Sequence, residues 1–305
     1  MADLSIILPA RNEIFLQQTI NNILENIEGD TEVIAICDGY WPDPPIIDND
    51  RVIIVHHTIP IGQRAATNEG ARISQARYVM KADAHCAFDK GFDIKLMSDM
   101  QYDWTIVPTM YNLHAFDWKC LECGDQTYQG PKPDICSKCN SSKGFEMVII
   151  WKPRLSRVTY SWRFDSDLHF QYWKEHRKRP ETRRGEFIET MSFIGACWFT
   201  ERERYWELEG LDEKHGSWGQ VGTEIACKSW LSGGKLLTAK KTWFAHMFRT
   251  NNKGFSFPYQ ISGNDIERAK KYSKDLWLNN KWHKAKLPLS WLVEKFAPVP
   301  GWNGH

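Results

Sequence analysis

The chain has 305 residues, enough for one large α/β domain or two smaller ones. Its hydrophobic fraction of 42% and charged fraction of 25% are ordinary for a globular protein, and a net charge of +1 excludes a global pull toward nucleic acid or anionic membrane. No apolar run reaches the length of a membrane span, and Met1-Ala2-Asp3-Leu4 leads straight into a strand-like segment, so no signal peptide, no membrane partner and a cytoplasmic location are expected.

The elements follow in chain order. Residues 4–8 predict a first strand, stopped by Pro9. Residues 14–27 predict an amphipathic helix, with Leu16, Ile20, Ile23, Leu24 and Ile27 at helical spacing, broken by Gly29-Asp30. Residues 33–37 predict a second strand followed by Asp38-Gly39, 52–55 a third, 62–74 a helix and 78–82 a fourth strand. This β-α-β-β-α-β order implies an α/β class: a mostly parallel, Rossmann-like sheet with helices on both faces. Residues 90–100 predict a helix and 105–108 another strand. The pattern then fails, and 112–142, rich in Cys, Gly, Pro and Lys, reads as an insertion. Regular structure returns over 145–151, while the polar, aromatic and charged run 163–184 predicts no element. Residues 192–200 predict a buried strand, 201–208 a short helix, and 222–231 a helix ended by Gly233-Gly234. Two short strands, 236–238 and 242–247, follow, and the tail holds one helix, 266–276. The implied organisation is a main domain over 1–250, an insertion over 112–144 within it, and an extension over 251–305.

Asp83-Ala84-His85 closes the apolar run Tyr78-Val79-Met80-Lys81-Ala82. Residues two apart on an extended segment point to the same side, so a carboxylate and an imidazole emerge together at a strand's end, where open α/β sheets place their ligands. One hard oxygen and one borderline nitrogen suit a divalent metal such as Mn²⁺. On these three residues alone, a turn with a capping Asp and an incidental His explains as much.

Cys120-x₂-Cys123 and Cys136-x₂-Cys139, twelve residues apart, have the spacing of a structural four-thiolate Zn²⁺ site. Gly124, Gly130-Pro131 and Pro133 supply the turns of a zinc ribbon. The chain has eight cysteines, but four in metal-ligand spacing fit a reduced compartment better than disulfides. The expected role is structural, the metal folding a loop too small for its own core. With 15 tryptophans the chain has many flat faces that stack on sugars or bases, yet packing explains any single one more simply.

Further motifs recur in order. They are Ile7-Leu8-Pro9-Ala10-Arg11-Asn12-Glu13, Asp38-Gly39, Gly62-Gln63-Arg64-Ala65-Ala66-Thr67-Asn68-Glu69-Gly70 and Asp83-Ala84-His85, then Gly195-Ala196-Cys197-Trp198-Phe199, Glu209-Gly210-Leu211-Asp212-Glu213, Trp218-Gly219 and Ala245-His246-Met247-Phe248-Arg249. Together they resemble the GT-A-fold glycosyltransferases of the broad family 2 type, and in detail the polypeptide N-acetylgalactosaminyltransferase catalytic domain, over residues 3–111 and 190–250. The resemblance implies a GT-A fold with an inserted zinc ribbon and a metal-dependent transfer of a hexose-type sugar from a nucleotide-sugar, a UDP-sugar, to a hydroxyl. It implies Mn²⁺ or Mg²⁺ on Asp83, His85 and His246, and donor contacts from Pro9, Arg11, Glu13, Asp38, Arg64, Asp83, Trp218 and Arg249. One departure matters: where the family carries Glu-Asp or Glu-Asn after Trp-Gly, this chain has Val221-Gly222. The resemblance therefore leaves the general base open, with Asp212, Glu213 and Glu224 as the candidates for an inverting reaction.

The acceptor is the open question. Lys174-Glu175-His176-Arg177-Lys178-Arg179 and Arg183-Arg184 lie among Trp162, Phe170, Tyr172 and Trp173. Basic charge with aromatic platforms suits nucleic acid, so a hydroxymethylated base in DNA, as in phage-type transferases, is one expectation. A glycan or protein acceptor is the alternative. A sugar-phosphate nucleotidyltransferase would need a Gly-rich loop after the first strand, which Pro9-Ala10-Arg11-Asn12-Glu13 lacks. A non-catalytic zinc-ribbon nucleic-acid binder on a degenerate transferase scaffold is the remaining class, kept open by Val221-Gly222.

Overall fold

A computed structural model describes residues 2–249 and 255–302 of the chain. The first half follows the predicted order: β1 (Leu4–Ala10), α1 (Leu16–Asn26), β2 (Thr31–Asp38), β3 (Val52–His57), α2 (Gln63–Ile73) and β4 (Tyr78–Ala82). β1 lies between β2 and β4, parallel to both, and β2 pairs parallel with β3. The near-continuous apolar runs of β1, β2 and β4 are what a sheet covered on both sides demands. β4 is buried at all five positions, Lys81 included.

β5 (Cys86–Phe88) and α3 (Phe92–Met97) follow, then β6 (Trp104–Cys120), β7 (Gln126–Tyr128) and β8 (Phe145–Thr159). Here the structure corrects the sequence-based expectation. The strand predicted to stop at residue 108 runs 17 residues to Cys120. β8 returns antiparallel along it. The insertion is therefore a long hairpin growing out of the main sheet, and its cysteines sit at the tip. Asn112-Leu113-His114-Ala115-Phe116 has the alternation of a strand. Leu113, Ala115 and Phe116 are buried with Phe15, Trp151, Ala245 and Met247 in a second hydrophobic cluster at the hairpin's root.

The run 163–184 is built from β9 (Trp162–Phe164), β10 (Phe170–Tyr172), a 3-10 turn over His176–Lys178 and α4 (Pro180–Arg183). Then come β11 (Phe187–Glu189), β12 (Cys197–Glu201), α5 (Arg202–Glu207), a 3-10 turn over Glu213–His215, α6 (Val221–Leu231), β13 (Lys235–His246), α7 (Gly263–Leu278) and α8 (Leu289–Lys295). The two short strands predicted between 236 and 247 are one strand with an irregularity between Ala239 and Trp243.

The sheet order is β11-β13-β6-β12-β4-β1-β2-β3. It is mixed: β12 runs antiparallel to both β4 and β6. Trp277, Trp282, Leu289, Leu292 and Phe296 of the C-terminal segment share the main core with β1 and β4. Among the described residues no helix is long and apolar enough to cross a membrane.

α6 packs its first turn against the backbone of residues 193–195. A Cβ on Gly222 would meet the Phe193 carbonyl oxygen at 2.0 Å and the Gly195 nitrogen at 2.9 Å. Gly→Ala in a helix ordinarily stabilises by about 1 kcal/mol. Here overlap with backbone reverses the sign, and Gly222→Ala is expected to destabilise by about 1–3 kcal/mol. A chemical-denaturation midpoint equal to or above that of the parent chain would contradict this packing.

Candidate functional site

A cavity of about 380 Å³ opens where the ends of β1, β2, β4 and β13 meet the segment after residue 255. Pro9, Arg11, Glu13, Asp38, Asp83, His85, Trp218, His246 and Arg249 all border it. These nine are drawn from positions up to 240 residues apart, and tertiary pairing alone unites them. β5 pairs antiparallel with β13 so that His246 faces Cys86, and the Met247 amide donates to the His85 carbonyl at 3.2 Å.

Three donor atoms converge at one wall. His246 Nε2 lies 3.1 Å from Asp83 Oδ2 and 3.1 Å from His85 Nε2. One ligand atom from each of the three residues falls within 4.8 Å of the others. Neighbouring ligands around an octahedral ion with bonds of about 2.1 Å stand about 3.0 Å apart, so the donor set fits a divalent cation. Two imidazole nitrogens facing each other at 3.1 Å otherwise need one to donate to the other.

The ligands are held from behind. Glu13 Oε2 pairs with His85 Nδ1 at 2.9 Å, which fixes the ring and turns Nε2 toward the cluster. Arg249 Nη2 donates to both Glu13 oxygens, at 2.9 and 2.8 Å. Burial pushes the Glu13 carboxyl upward, but His85 and Arg249 outweigh it and hold the group below its usual range. On the other side, Lys81 Nζ bonds to Asp83 Oδ1 and, at 3.1 Å, to the Gly195 carbonyl. Burial likewise raises Asp83, and the Lys81 ammonium and His246 more than reverse it, leaving an ionised carboxylate. Burial lowers His246, against the pull of Asp83.

Other expected contacts have different places. Asp38 accepts the amides of Ile61 at 2.6 Å and Gly62 at 3.1 Å, so it also shapes the loop entering α2. Trp218 stands edge-on to Phe257, with centroids 5.7 Å apart, and Arg11 lies over the Tyr259 ring at 5.2 Å. Arg64, expected to touch donor, is fully buried below the cavity. It bonds Glu224 at 3.0 Å and the carbonyls of Gly216 and Gly219 at 3.2 and 2.6 Å, and so holds the loop that carries Trp218.

The three candidate bases do not border the cavity. Glu224 is fully buried, paired with Arg64 and with Lys228 at 3.0 Å, and accepts the Asp212 amide at 2.5 Å. Asp212 caps the 3-10 turn through the Lys214 amide at 3.0 Å and takes the Tyr272 hydroxyl at 2.7 Å. Glu213 accepts from Asn68 at 2.9 Å. Sequence reasoning missed Asp265, a carboxylate that does border the cavity from the first turn of α7. Nothing in the tail's composition marks it. It also passed over Lys81, whose signal was legible: a lone charge inside an apolar strand.

Part of the basic stretch is tied up internally, and two of its aromatics are not platforms. His176 is buried, stacked on Trp173 and bonded to Ser161 at 2.5 Å. Arg177 donates to the Val158 carbonyl, and Arg179 to the carbonyls of Phe296 and Pro298. Trp162 and Trp173 are interior. Lys174, Lys178, Arg183 and Arg184 remain exposed.

At the hairpin tip, Cys120 and Cys139 sulfurs are 3.8 Å apart, and those of Cys123 and Cys136 3.7 Å. A tetrahedron with Zn–S bonds of about 2.3 Å has edges of about 3.8 Å, whereas a disulfide needs about 2.05 Å. Each knuckle turns through a left-handed residue directly after its second cysteine, Gly124 at φ 72° and Asn140 at φ 57°. The four residues fit a zinc ion.

Residues 5–114 match the family model "Glycosyl transferase family 2". A crystal structure, "GalNAc-T7 with UDP, GalNAc and Mn2+", superposes with a TM-score of 0.62 at 16% identity, over 91% of this chain and 48% of that one. The fold is GT-A. Among relatives in sequence, "Putative polypeptide N-acetylgalactosaminyltransferase 13" of Drosophila melanogaster is 22% identical over 96% of this chain and 48% of its own length. Polypeptide N-acetylgalactosaminyltransferase 6 of Bos taurus is 23% identical over 69% of this chain and 29% of its own. The chain thus spans about half the length of the first of these relatives and less of the second.

The buried Glu224 cluster yields a pH prediction. Burial raises its carboxyl, but Lys228, Arg64 and His215 bring it down to about 2 from the usual 4.5. A carboxyl depressed in the folded state stabilises above its unfolded value and loses that contribution as pH falls. Stability is therefore expected to drop between about pH 4.5 and 2 through this group. Glu224→Gln should cost about 3–5 kcal/mol at neutral pH and flatten that acid slope. Denaturation midpoints with parallel pH dependence in variant and parent would refute it.

Proposed function

We propose that this chain is a metal-dependent glycosyltransferase that moves a hexose-type sugar from a UDP-sugar to a hydroxyl acceptor. The observation that carries the proposal is the convergence of Asp83, His85 and His246 on the wall of a cavity that also holds Arg11, Asp38 and Trp218. The family model over residues 5–114 and the relatives' names support it. Mn²⁺ or Mg²⁺ on the three ligands would act as a Lewis acid toward the charge that develops on the leaving diphosphate.

The chain's own residues then have separate tasks. Glu13 keeps the His85 ring oriented. Arg64 and Glu224 hold the loop that presents Trp218. Arg11, Asp38 and Trp218 line the donor side. No candidate among Asp212, Glu213 and Glu224 borders the cavity, and Gly222 has no room for a side chain. We therefore assign the acceptor proton to the leaving diphosphate, with retention at the anomeric carbon. Asp265→Asn is expected to keep transfer, with the product's anomeric coupling reporting retention. Loss of turnover with an inverted product would make Asp265 the base.

For the acceptor, the names of the relatives favour a protein or glycan hydroxyl, and the internal bonds of the basic stretch weigh against DNA. The Cys120, Cys123, Cys136 and Cys139 cluster is assigned a structural Zn²⁺. The decisive experiment is donor hydrolysis and transfer with Mn²⁺ across UDP-sugars, offered peptide, glycan and hydroxymethylated DNA acceptors. Absence of hydrolysis with every donor would end the enzyme reading; transfer to DNA alone would end the acceptor reading. Asp83→Ala should abolish turnover with the fold retained, and Cys123→Ser should lower the melting temperature. The opposite pattern would contradict this division between the two metals.

A further inference from the structure

Lys81 is a charge where a strand has no use for one. β4 is Tyr78-Val79-Met80-Lys81-Ala82, buried throughout, and Lys81 itself has no exposure. Its ammonium has two partners, Asp83 Oδ1 and the Gly195 carbonyl. As a device for stability this is poor, because a buried ion pair generally does no better than an apolar residue of the same size.

What the pair changes is the ligand. Lys81 occupies one oxygen of Asp83, and the other, Oδ2, is the one beside His246 Nε2. An incoming cation therefore meets a single oxygen whose charge is already matched. The same holds on the far side of the cluster, where Arg249 matches Glu13 behind His85. Around the two imidazoles, each carboxylate is thus already matched by a cation of the chain. Lys81 is inside the protein, so salt does not screen it. A divalent ion entering alone finds its charge uncompensated; a diphosphate in the adjoining cavity supplies what is missing.

We propose that Lys81 is a positioning residue that makes metal capture depend on the nucleotide diphosphate. It holds Asp83 as a one-oxygen ligand and cancels its charge, so that metal and diphosphate bind as a cooperative pair. By linkage, the diphosphate must then bind more tightly with metal by the same factor. The proposal rests on the metal-site reading above.

The test is Mn²⁺ titration followed by electron paramagnetic resonance, with and without saturating UDP, on the full chain. In the parent, UDP is expected to tighten Mn²⁺ binding by about tenfold at least, well within what one unit charge a few ångströms away supplies inside a protein. Lys81→Gln keeps the size and a hydrogen-bond donor but removes the charge. It should bind Mn²⁺ alone about tenfold more tightly and show a reduced UDP effect, whereas a merely structural lysine would leave metal affinity equal or weaker. Lys81→Met should follow Lys81→Gln if it folds. Absence of UDP coupling in the parent overturns the proposal without any variant, as does a folded Lys81→Gln with parental or weaker Mn²⁺ affinity. If the parent binds Mn²⁺ under neither condition, or Asp83→Ala binds as well as the parent, the metal site itself is wrong and the proposal falls with it.

Discussion

The antiparallel pairing of β5 with β13 is the contact on which the site depends. It sets Phe244 against Phe88, Ala245 against Ala87 and His246 against Cys86. Strand register is all-or-none: a slip of one residue turns every side chain to the other face. A slip here would carry His246 away from Asp83 and His85, and no local rearrangement would bring it back. Buried alanines and phenylalanines on both strands hold the register, so packing that is chemically inert fixes a cluster that is not.

The cluster is stabilised by charges arranged in opposed pairs. Lys81 stands behind Asp83 and Arg249 behind Glu13, all in surroundings of low exposure where each unpaired charge would be costly. A second buried network, Arg64–Glu224–Lys228, lies under the neighbouring loop. The two networks do different things. The first holds the side chains of Asp83 and His85. The second fixes a loop by taking two of its carbonyls, at Gly216 and Gly219. Arg64 and Glu224 are completely buried and do not border the cavity.

The hairpin is tied to the same centre mechanically. Its root residues Leu113, Phe116 and Trp151 pack with Phe15, two positions from Glu13, and with Ala245 and Met247, which flank His246. The four-cysteine tip is remote in structure from that root, at the far end of a 17-residue strand. The tip gathers four cysteine sulfurs and the root is held by apolar contact, so the two ends can be perturbed separately.

Much of this was legible in the sequence for a local reason. β1 through β4 and their helices follow from periodicity, and Asp83-Ala84-His85 and the paired Cys-x-x-Cys knuckles follow from spacing, because in each case the residues that act together lie close along the chain. What lay apart was decided only by the tertiary structure. Glu224 looks the same on paper as a solvated helix acid or a base; Arg64 from α2 and Lys228 from α6 pair with it in the interior, away from the cavity. Gly222 looks like a missing carboxylate until the Phe193 carbonyl fills its space. Asp265 carries no local signal at all. Periodicity reports the immediate neighbourhood of a residue, whereas burial, pairing and cavity lining are set by strands and helices arriving from elsewhere in the chain.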